Sequence, residues 1–540
     1  MTSRKKKPAL QAQLAEKEEQ IKQLVTERDQ LRKAYAKALF ELEKLRRGLI
    51  GPKTEKFRVA EEQLSFLASM LETFPPLGSE ASEGEAKDAL EPEPAPEPRK
   101  KPTAHGRRKP EDLGALEVRV LRLEPPMTTE ERDLLEEIDV DVTSTIEYQT
   151  GRYVRLEVHR PKYRLKGQTG AAIEQASLPD RGIKRCLAAP SLCAHVLVQK
   201  YADHLPLHRQ ESIFRRAGVE LARSTLSDWV QGSYALLRHV VQAMWEDAKT
   251  CPWVGIDATG ILVQEKEQCR RKSFFVLVAA RDHVLYHAAE REDRFEPVTL
   301  LGDYKGYVLA DASAIYHELY RRNEDITEVG CWSHARRKFF EALPSDREGA
   351  TRGLVLIRRL YEVNRLTRKG NEDEWDQQRR AQLAKPVLAQ LYDWVDAVSR
   401  EPDEKGPLRL ALNYLRNHRE PLERFLSDGQ LRLDNNLSEL ALRRQVIGRK
   451  NWLFCGSDEA THWNTTIVSL IASCELHDIE PWAYLRDILT LLPNWPKQRA
   501  LELSPKLWTA TKQRPAVAAQ LAELDFLGRS TPGVARQEAT

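Results

Sequence analysis

The most restrictive feature of this sequence is a carboxylate inside an apolar run, "WVGIDATGILV", at residues 253–263. Apolar residues flank Asp257 at positions that would face both surfaces of a β-strand, which predicts a central strand covered on both sides. An isolated carboxylate in such a strand is costly, so Asp257 should be neutralised, hydrogen-bonded or bound to a cation. Strand-like runs and short helices alternate from there to about residue 342, which indicates a mixed α/β sheet.

Two further acids, Asp311 and Glu439, are also candidate ligands. Asp311 closes the apolar run of "YVLADASAIY", just before a predicted helix, and strand ends of α/β sheets are where ligands usually bind. Glu439 lies in "LDNNLSELALRRQVIGRKNWLF", ahead of a cluster of arginines and lysines. Two ordinary roles compete with a ligand role for Glu439. One is a capping box with Asn436 as the N-cap residue, and the other is an i,i+4 ion pair with Arg443.

Three carboxylates that converge from separate elements form a set of hard oxygen ligands, which suits Mg²⁺ or Mn²⁺. Two such ions roughly 3.5–4 Å apart can activate a water or a 3′-hydroxyl and stabilise the leaving oxygen in phosphodiester chemistry. The neighbouring basic residues would then hold the phosphates of DNA. We therefore predict that Asp257, Asp311 and Glu439 converge, and that Glu439 rather than Asp434 is the third acid.

Composition excludes several other classes of protein. The 84 basic and 81 acidic residues leave a net charge of only +3, so local separation of charge matters more than the total. The seven cysteines are scattered without a C-x-x-C pair, which argues against a disulfide framework and a four-cysteine zinc site. No apolar stretch approaches the roughly 18 residues that span a membrane. We expect a soluble, cytoplasmic protein with no membrane partner.

The remaining chain divides into segments of different texture. A heptad repeat over residues 8–50 predicts a coiled coil, with a single amphipathic helix as the alternative. A Pro- and Glu-rich stretch then predicts a disordered linker, whose basic end would either follow a phosphate backbone or remain solvated. The expected fold is α+β and multidomain, in these segments: coiled coil for oligomerisation 1–58, linker 75–111, small β domain 112–170, helical region 180–248, α/β core 250–342 and 426–492, helical insertion 343–425, C-terminal tail 493–540.

A helix-turn-helix outline occurs within the helical region. "ESIFRRAGVELARSTLSDWV" contains an apolar helix, a glycine turn, a start signal at Ser224 or Thr225 and a second amphipathic helix. Such a motif places its second helix in the major groove of DNA. The same outline also occurs in ordinary helix packing, so both interpretations remain open at this point.

Five stretches in this order resemble the large transposase of the insertion sequence 66 family: "LPLHRQESIFRRAGVELARSTLSDWV", "IDATGILV", "LLGDYKGYVLADASAIYHEL", "GCWSHARRKFFEAL" and "LDNNLSELALRRQVIGRKNWLFCGS". The resemblance runs from about residue 8 to residue 505. It implies a bacterial DDE transposase with a ribonuclease H-like core, which acts on double-stranded DNA at the element ends and at the target. Small accessory proteins of the same element are possible partners.

By position, the resemblance implies that Asp257, Asp311 and Glu439 are the catalytic and metal-binding acids. It places the family's C-x-x-H signature on Cys331 and His334, for which we expect a structural or positioning role, because two ligands do not make a zinc site. Asn436 is expected to help position Glu439. The expected DNA contacts are basic or polar residues in four segments: Arg107, Arg108, Lys109, Arg223, Ser224, Arg336, Arg337, Lys338, Arg443, Arg444, Arg449 and Lys450.

The sequence departs from the family pattern at two places. "HRPKYRLKGQTGA" lacks the cysteines of a zinc-binding segment that many members carry there, so that zinc site should be absent, and no zinc is expected elsewhere in the protein. The first acid motif reads Asp257-Ala258-Thr259, where the family usually has Asp-Glu-Thr. A catalytically inactive, transposase-derived DNA-binding protein or repressor is therefore the alternative function, and a nuclease without strand joining is a third.

Overall fold

The computed structural model describes residues 116–149, 151–166, 172–180, 182–184, 186–266, 268–370, 374–399 and 406–532. The predicted coiled coil, the predicted linker and the basic residues Arg107, Arg108 and Lys109 lie outside the described residues. Within them, the structure is a mixture of two β-sheets and many helices, as the α+β composition of the sequence predicted.

The first sheet lies near the start of the described chain, and a long hairpin makes up most of it. Strands β2 (Leu135–Gln149) and β3 (Arg152–Leu165) pair antiparallel around Gly151, whose φ of 87° favours glycine at this turn. Strand β1 (Glu117–Arg122) pairs parallel to β3, and the short β4 (Glu174–Gln175) pairs antiparallel to it. A short helix, α1, spans Thr129–Leu134 between β1 and β2.

Three helices follow the first sheet: α2 (Pro190–Tyr201), α3 (Leu207–Arg216) and α4 (Arg223–Ala248). A turn with Gly218 at φ 78° separates α3 from α4, where the sequence predicted a glycine turn. The buried side chains of α4 belong to the same hydrophobic core as the second sheet. The helical region is therefore packed onto that sheet and shares its core.

The second sheet contains five strands: β5 (Trp253–Gln264), β6 (Cys269–Ala279), β7 (His283–Ala289), β8 (Gly306–Leu309) and β9 (Ile326–Val329). Their order is β7-β6-β5-β8-β9. The first three strands are antiparallel, whereas β8 and β9 run parallel to β5. The first four residues of β5 are buried, as expected for a central strand covered on both faces. The short helix α5 (Glu296–Leu301) lies between β7 and β8, and the short helix α6 (His317–Arg322) lies between β8 and β9.

Along the sequence, a bundle of helices lies between β9 and the later helices that pack on the second sheet. The helices are α7 (Trp332–Ala342), α8 (Arg347–Leu366), α9 (Gln377–Ser399), α10 (Pro407–Asn417) and α11 (Arg419–Glu423). They enclose a hydrophobic core of their own, distinct from that of the second sheet. Most of this bundle lies in the stretch for which the sequence predicted a helical insertion.

The chain then returns to the second sheet through α12 (Asn436–Trp452), α13 (Asp458–Leu476) and α14 (Pro481–Leu491). The segment predicted as a tail continues into helices α15 (Pro505–Lys512) and α16 (Pro515–Leu524). It ends in β10 (Thr531–Pro532), which pairs antiparallel with β1. Within the described chain, no helix has the length and apolar character needed to cross a membrane.

Candidate functional site

The candidate site begins at Asp257, halfway along the central strand β5. The Ala258 N–H donates a hydrogen bond of 2.8 Å to the Asp257 carboxylate. Burial raises the pKa of Asp257 to about 7; the negative charges of Asp311, Glu439 and Glu292 add to this rise, and the Ala258 hydrogen bond opposes it. A carboxylate in this setting is easier to ionise when a cation is bound beside it.

Asp311 lies just after the end of the neighbouring parallel strand β8, at a level that matches Asp257. The register pairs Gly255 with Leu309. Asp257 lies two residues after Gly255, and Asp311 lies two residues after Leu309, so the two acids are at the same level. The Asp311 carboxylate accepts a hydrogen bond of 3.2 Å from the Ser313 N–H. The parallel pairing of β5 and β8 thus brings two acids from distant parts of the sequence to one edge of the sheet.

Glu439 reaches the site from the first turns of α12. Its Oε2 lies 3.4 Å from Arg337 Nη2, and its Oε1 lies 3.7 Å from His334 Nδ1. About 20% of the Glu439 side chain is exposed, so a ligand can reach it. Its charge acts on Asp257, which means that all three predicted acids share one electrostatic environment.

The start of α12 is fixed against β5 by a buried asparagine. Asn435 Nδ2 donates a hydrogen bond of 2.8 Å to the carbonyl of Ile256, the residue before Asp257. Gly255 allows this close approach, because a Cβ there would lie 2.6 Å from Asn435 Oδ1 and 2.7 Å from Ser438 Oγ. The direction in which Glu439 points is therefore set by Asn435 and by the absence of a side chain at position 255.

The two ordinary roles considered for Glu439 are both wrong. The N-cap residue of α12 is Asn435, and Asn436 instead donates its N–H and its Nδ2 to Asp434, at 3.2 Å and 2.8 Å. The predicted capping box fails because the helix begins one residue earlier than it requires. Among the described residues, Arg443 is exposed, and the guanidinium within ion-pair distance of Glu439 is that of Arg337.

Asp434 is directed into the helical bundle. Only 7% of it is exposed, and it forms a hydrogen bond with the Tyr361 side chain in addition to its bonds from Asn436. Burial raises the pKa of Tyr361, and the neighbouring Asp434 adds to this rise. Asp434 therefore stabilises the segment before α12, while Glu439 shares the environment of Asp257.

Cys331 and His334 lie beside Glu439, at the start of α7. Cys331 is completely buried, and its sulfur accepts a hydrogen bond of 3.3 Å from the Asn435 N–H. Burial raises the pKa of the Cys331 thiol to about 12. Burial lowers the pKa of His334, although the negative charge of Glu439 opposes this change. The two residues thus connect the start of α7 to the start of α12.

The basic residues predicted to contact DNA divide into exposed and engaged groups. Arg444 forms an ion pair with Glu475, and Arg449 donates to Thr259 Oγ1 at 3.1 Å and to the Gly260 carbonyl. Lys338 lies 5.2 Å from the centre of the Tyr414 ring. The members that are exposed at the surface are Arg223, Ser224, Arg336, Arg337, Arg443 and Lys450.

Sequence reasoning missed one acid of this environment. Glu292 is exposed in the loop after β7, and its negative charge contributes to the raised pKa of Asp257. Its signal was weak because it lies in a charged stretch, "EREDR", where acids are common in solvated loops.

These features define an acid cluster on a mixed sheet, flanked by exposed basic residues. Residues 185–462, just over half of the chain, match the family model described as "Transposase IS66 family", and residues 469–505 match "IS66 C-terminal element". The chain therefore belongs to the IS66 family of transposases. This confirms the resemblance found in the sequence.

Two similar proteins come from Sinorhizobium fredii (strain NBRC 101917 / NGR234). "Uncharacterized protein y4qI" is 28% identical over 523 residues, which cover 93% of this chain and 94% of that protein. "Uncharacterized protein y4hP" is 27% identical over 411 residues, which cover 72% of this chain and 74% of that protein. The similarity to y4qI extends over nearly the whole of both chains.

Proposed function

We propose that this chain is a DDE transposase that cleaves a DNA strand at the ends of its element and joins the freed 3′-hydroxyl to target DNA. The observation that carries the proposal is the acid cluster, in which the negative charges of Asp311 and Glu439 both raise the pKa of Asp257. The strand order β7-β6-β5-β8-β9, with three antiparallel strands followed by two parallel ones, supports a ribonuclease H-like core.

The donor set fits a hard divalent cation. Asp257, Asp311 and Glu439 offer carboxylate oxygens, the ligands that Mg²⁺ and Mn²⁺ prefer. Within the described residues, neither Asp257 nor Asp311 has a lysine or arginine within the 4.0 Å of an ion pair, so protein cations do not neutralise these two acids. When bound, divalent cations supply Lewis-acid stabilisation of the attacking and leaving oxygens.

The residues of this chain would divide the remaining work between them. The three acids would bind the cations and orient the reacting oxygens. The exposed residues Arg336 and Arg337 on α7, and Arg443 and Lys450 on α12, would hold the phosphates on either side of the reacting bond. Because Arg337 also lies 3.4 Å from Glu439, it would restrain the third acid until DNA draws the guanidinium away.

The first turn of α4 is a second proposed DNA contact. Arg223 and Ser224 are exposed there, at the start of the second helix of the predicted helix-turn-helix motif. Arg223 Nε lies 3.7 Å from Glu211 Oε2 on the preceding helix. A contact of this kind would help the chain bind the element ends. The natural setting would be the bacterial cytoplasm, with the protein acting as a dimer or larger assembly, alone or with accessory proteins.

The test is a strand-nicking assay on DNA that carries the element ends, with Mg²⁺ or Mn²⁺ present. We expect Asp257→Asn and Glu439→Gln to reduce cleavage by on the order of 100-fold or more. Asp434→Asn is the matched control, because it changes an acid of the same segment that faces away from the cluster. The proposal is wrong if Asp434→Asn abolishes cleavage in a folded protein while Glu439→Gln retains it.

Precut element ends distinguish the remaining alternatives. A transposase joins them to target DNA, whereas a nuclease without strand joining leaves them free. A DNA-binding protein that has lost catalysis would bind the ends equally well after all three acids are changed, and would cleave nothing in its native form.

A further inference from the structure

A group of metal-ligating side chains lies next to the acid cluster, and the proposed reaction does not use all of it. Cys331, His334 and Glu439 each offer one ligand atom, and these atoms lie within 4.8 Å of one another. The spacing along the sequence reveals only Cys331 and His334, at the start of α7. The fold supplies the third ligand, Glu439, from α12.

The separation of two of these atoms is close to that found around one metal ion. His334 Nδ1 and Glu439 Oε1 are 3.7 Å apart. Two ligand atoms about 2.0–2.2 Å from a tetrahedral ion are separated by about 3.3–3.6 Å. Both atoms are buried, and neither has a hydrogen-bond partner among the described residues. Since buried polar atoms normally have partners, these two atoms lack one that a cation would provide.

The sulfur is also prepared for a ligand role. The Asn435 N–H donates a hydrogen bond of 3.3 Å to Cys331 Sγ. An N–H directed at a sulfur stabilises the thiolate that binds a metal and fixes its orientation. On the other side of the group, Arg337 Nη2 lies 3.4 Å from Glu439 Oε2, which leaves Oε1 directed at His334.

We propose that Cys331 Sγ, His334 Nδ1 and Glu439 Oε1 bind one Zn²⁺ ion or a similar borderline cation. Mg²⁺ does not suit this group, because thiolate and imidazole are ligands of softer metals. Three protein ligands leave one tetrahedral position open for water. Binding releases the thiol proton of Cys331 to solvent, so zinc is bound more tightly as the pH rises.

A consequence for regulation rests on the proposed function. Glu439 is also the third acid of the proposed magnesium site, and its Oε1 cannot serve a zinc ion without changing what the carboxylate offers to magnesium. We therefore expect Zn²⁺ to inhibit Mg²⁺-dependent strand cleavage. A variant that no longer binds zinc should show a smaller ratio of cleavage without zinc to cleavage with zinc.

The site is tested with the full-length chain, stripped of metal and titrated with Co²⁺. Tetrahedral Co²⁺ bound to a thiolate has a sulfur-to-metal charge-transfer absorption, and we expect one such ion per chain, displaced by Zn²⁺. Cys331→Ser should lose the absorption. The matched control is Cys474→Ser, since Cys474 is equally buried but lies in α13, outside the group.

Two further variants keep the test decisive if Cys331→Ser does not fold. His334→Asn and Glu439→Gln change side chains that are about 20% exposed, and each should weaken Co²⁺ binding by at least about 10-fold. The proposal is refuted by the absence of the absorption in the native chain, by its persistence in Cys331→Ser, or by unchanged affinity in Glu439→Gln.

The outcomes for the two proposals are separable. A chain that binds Co²⁺ through Cys331 but cleaves no DNA refutes the transposase proposal and leaves the zinc site standing. A chain that cleaves DNA but has no charge-transfer absorption refutes the zinc site alone.

Discussion

Asp257 combines two properties that are costly in an unliganded protein, namely burial in a central strand and proximity to other acids. Its raised pKa, about 7, expresses that cost. Between its unfolded value near 4 and about 7, the folded chain holds a proton that the unfolded chain has lost. The stabilisation from this group is therefore present at low pH and disappears as the pH rises through 7.

Replacement of Asp257 by asparagine should remove this pH dependence. We expect the gain in unfolding free energy of Asp257→Asn over the native chain to be larger at pH 8 than at pH 5, by about 1–3 kcal/mol. Urea unfolding at the two pH values, without divalent ions, measures it. Asp228→Asn, at an exposed position of α4, is the control and should change little. Parallel pH profiles for Asp257→Asn and the native chain would contradict the assigned pKa.

Divalent ions should reverse the same cost. Since the proposed function requires Mg²⁺ to bind the ionised carboxylates, Mg²⁺ should raise the melting temperature of the native chain more at pH 8 than at pH 6. Asp257→Asn should show a smaller rise at both values. Thermal melts with Mg²⁺ and with a chelator measure the difference. Equal stabilisation of the native chain and the variant would mean that Mg²⁺ binds elsewhere.

At this scale the sequence was informative about residue types and poor about local hydrogen bonding. That Asp257 belongs to a functional site could be predicted, because a carboxylate in an apolar strand is rare and costly. The capping box could not be judged from the sequence, because Asn435 and Asn436 are both residues that favour a helix start. Only the fold shows that the Asn435 side chain donates a hydrogen bond to the Ile256 carbonyl. The proximity of Cys331 to Glu439 depends on a contact across 108 residues, which no local pattern encodes.

At the scale of elements, the contact between β5 and α12 determines the geometry of the site. One element supplies Asp257 and the other Glu439, and they meet where Gly255 has no side chain. The register of β5 with β8 fixes Asp311 in turn. The sequence predicted strands and helices in these regions, but the order of the strands depends on long-range pairing and could not be read from local periodicity.

A methyl group at position 255 should separate these two elements. We expect Gly255→Ala to lower the unfolding free energy by about 1–3 kcal/mol, since its Cβ would meet Asn435 and Ser438 at under 3 Å. Metal-dependent cleavage should fall by more than the loss of folded protein explains. Gly456→Ala is the matched control, because a Cβ there has no neighbour within 4 Å. Full activity in Gly255→Ala would show that Glu439 does not need this contact.

The first turn of α4 offers a test of DNA binding that is independent of catalysis. We expect Arg223→Gln to weaken binding to element ends and to reduce the slope of log affinity against log salt by about 1, as loss of one phosphate contact does. Titrations at several salt concentrations measure both effects. Asp228→Asn, on the same helix, serves as the control. An unchanged slope would assign Arg223 to its ion pair with Glu211 rather than to DNA.

At the scale of the whole molecule, the described chain contains two large hydrophobic cores and smaller ones. One large core joins the helical region to the second sheet, and the other fills the bundle from α7 to α11. The helical character of the bundle was predictable from its long charged periodic stretch. That the helical region shares a core with the sheet was not, because amphipathic patterns show which face is buried but not against what.

The small sheet depends on a segment from the far end of the chain. Phe526 packs with Leu121, Leu156 and Val158, while β10 pairs with β1. We expect Phe526→Ala to destabilise this sheet by about 2–4 kcal/mol, through the cavity it leaves. Hydrogen exchange should show reduced protection of β1 with little change in β5, since the two belong to different cores. Glu523→Gln, at an exposed position of α16, is the control. An equal loss of protection in β1 and β5 would instead mean that both sheets unfold as one cooperative unit.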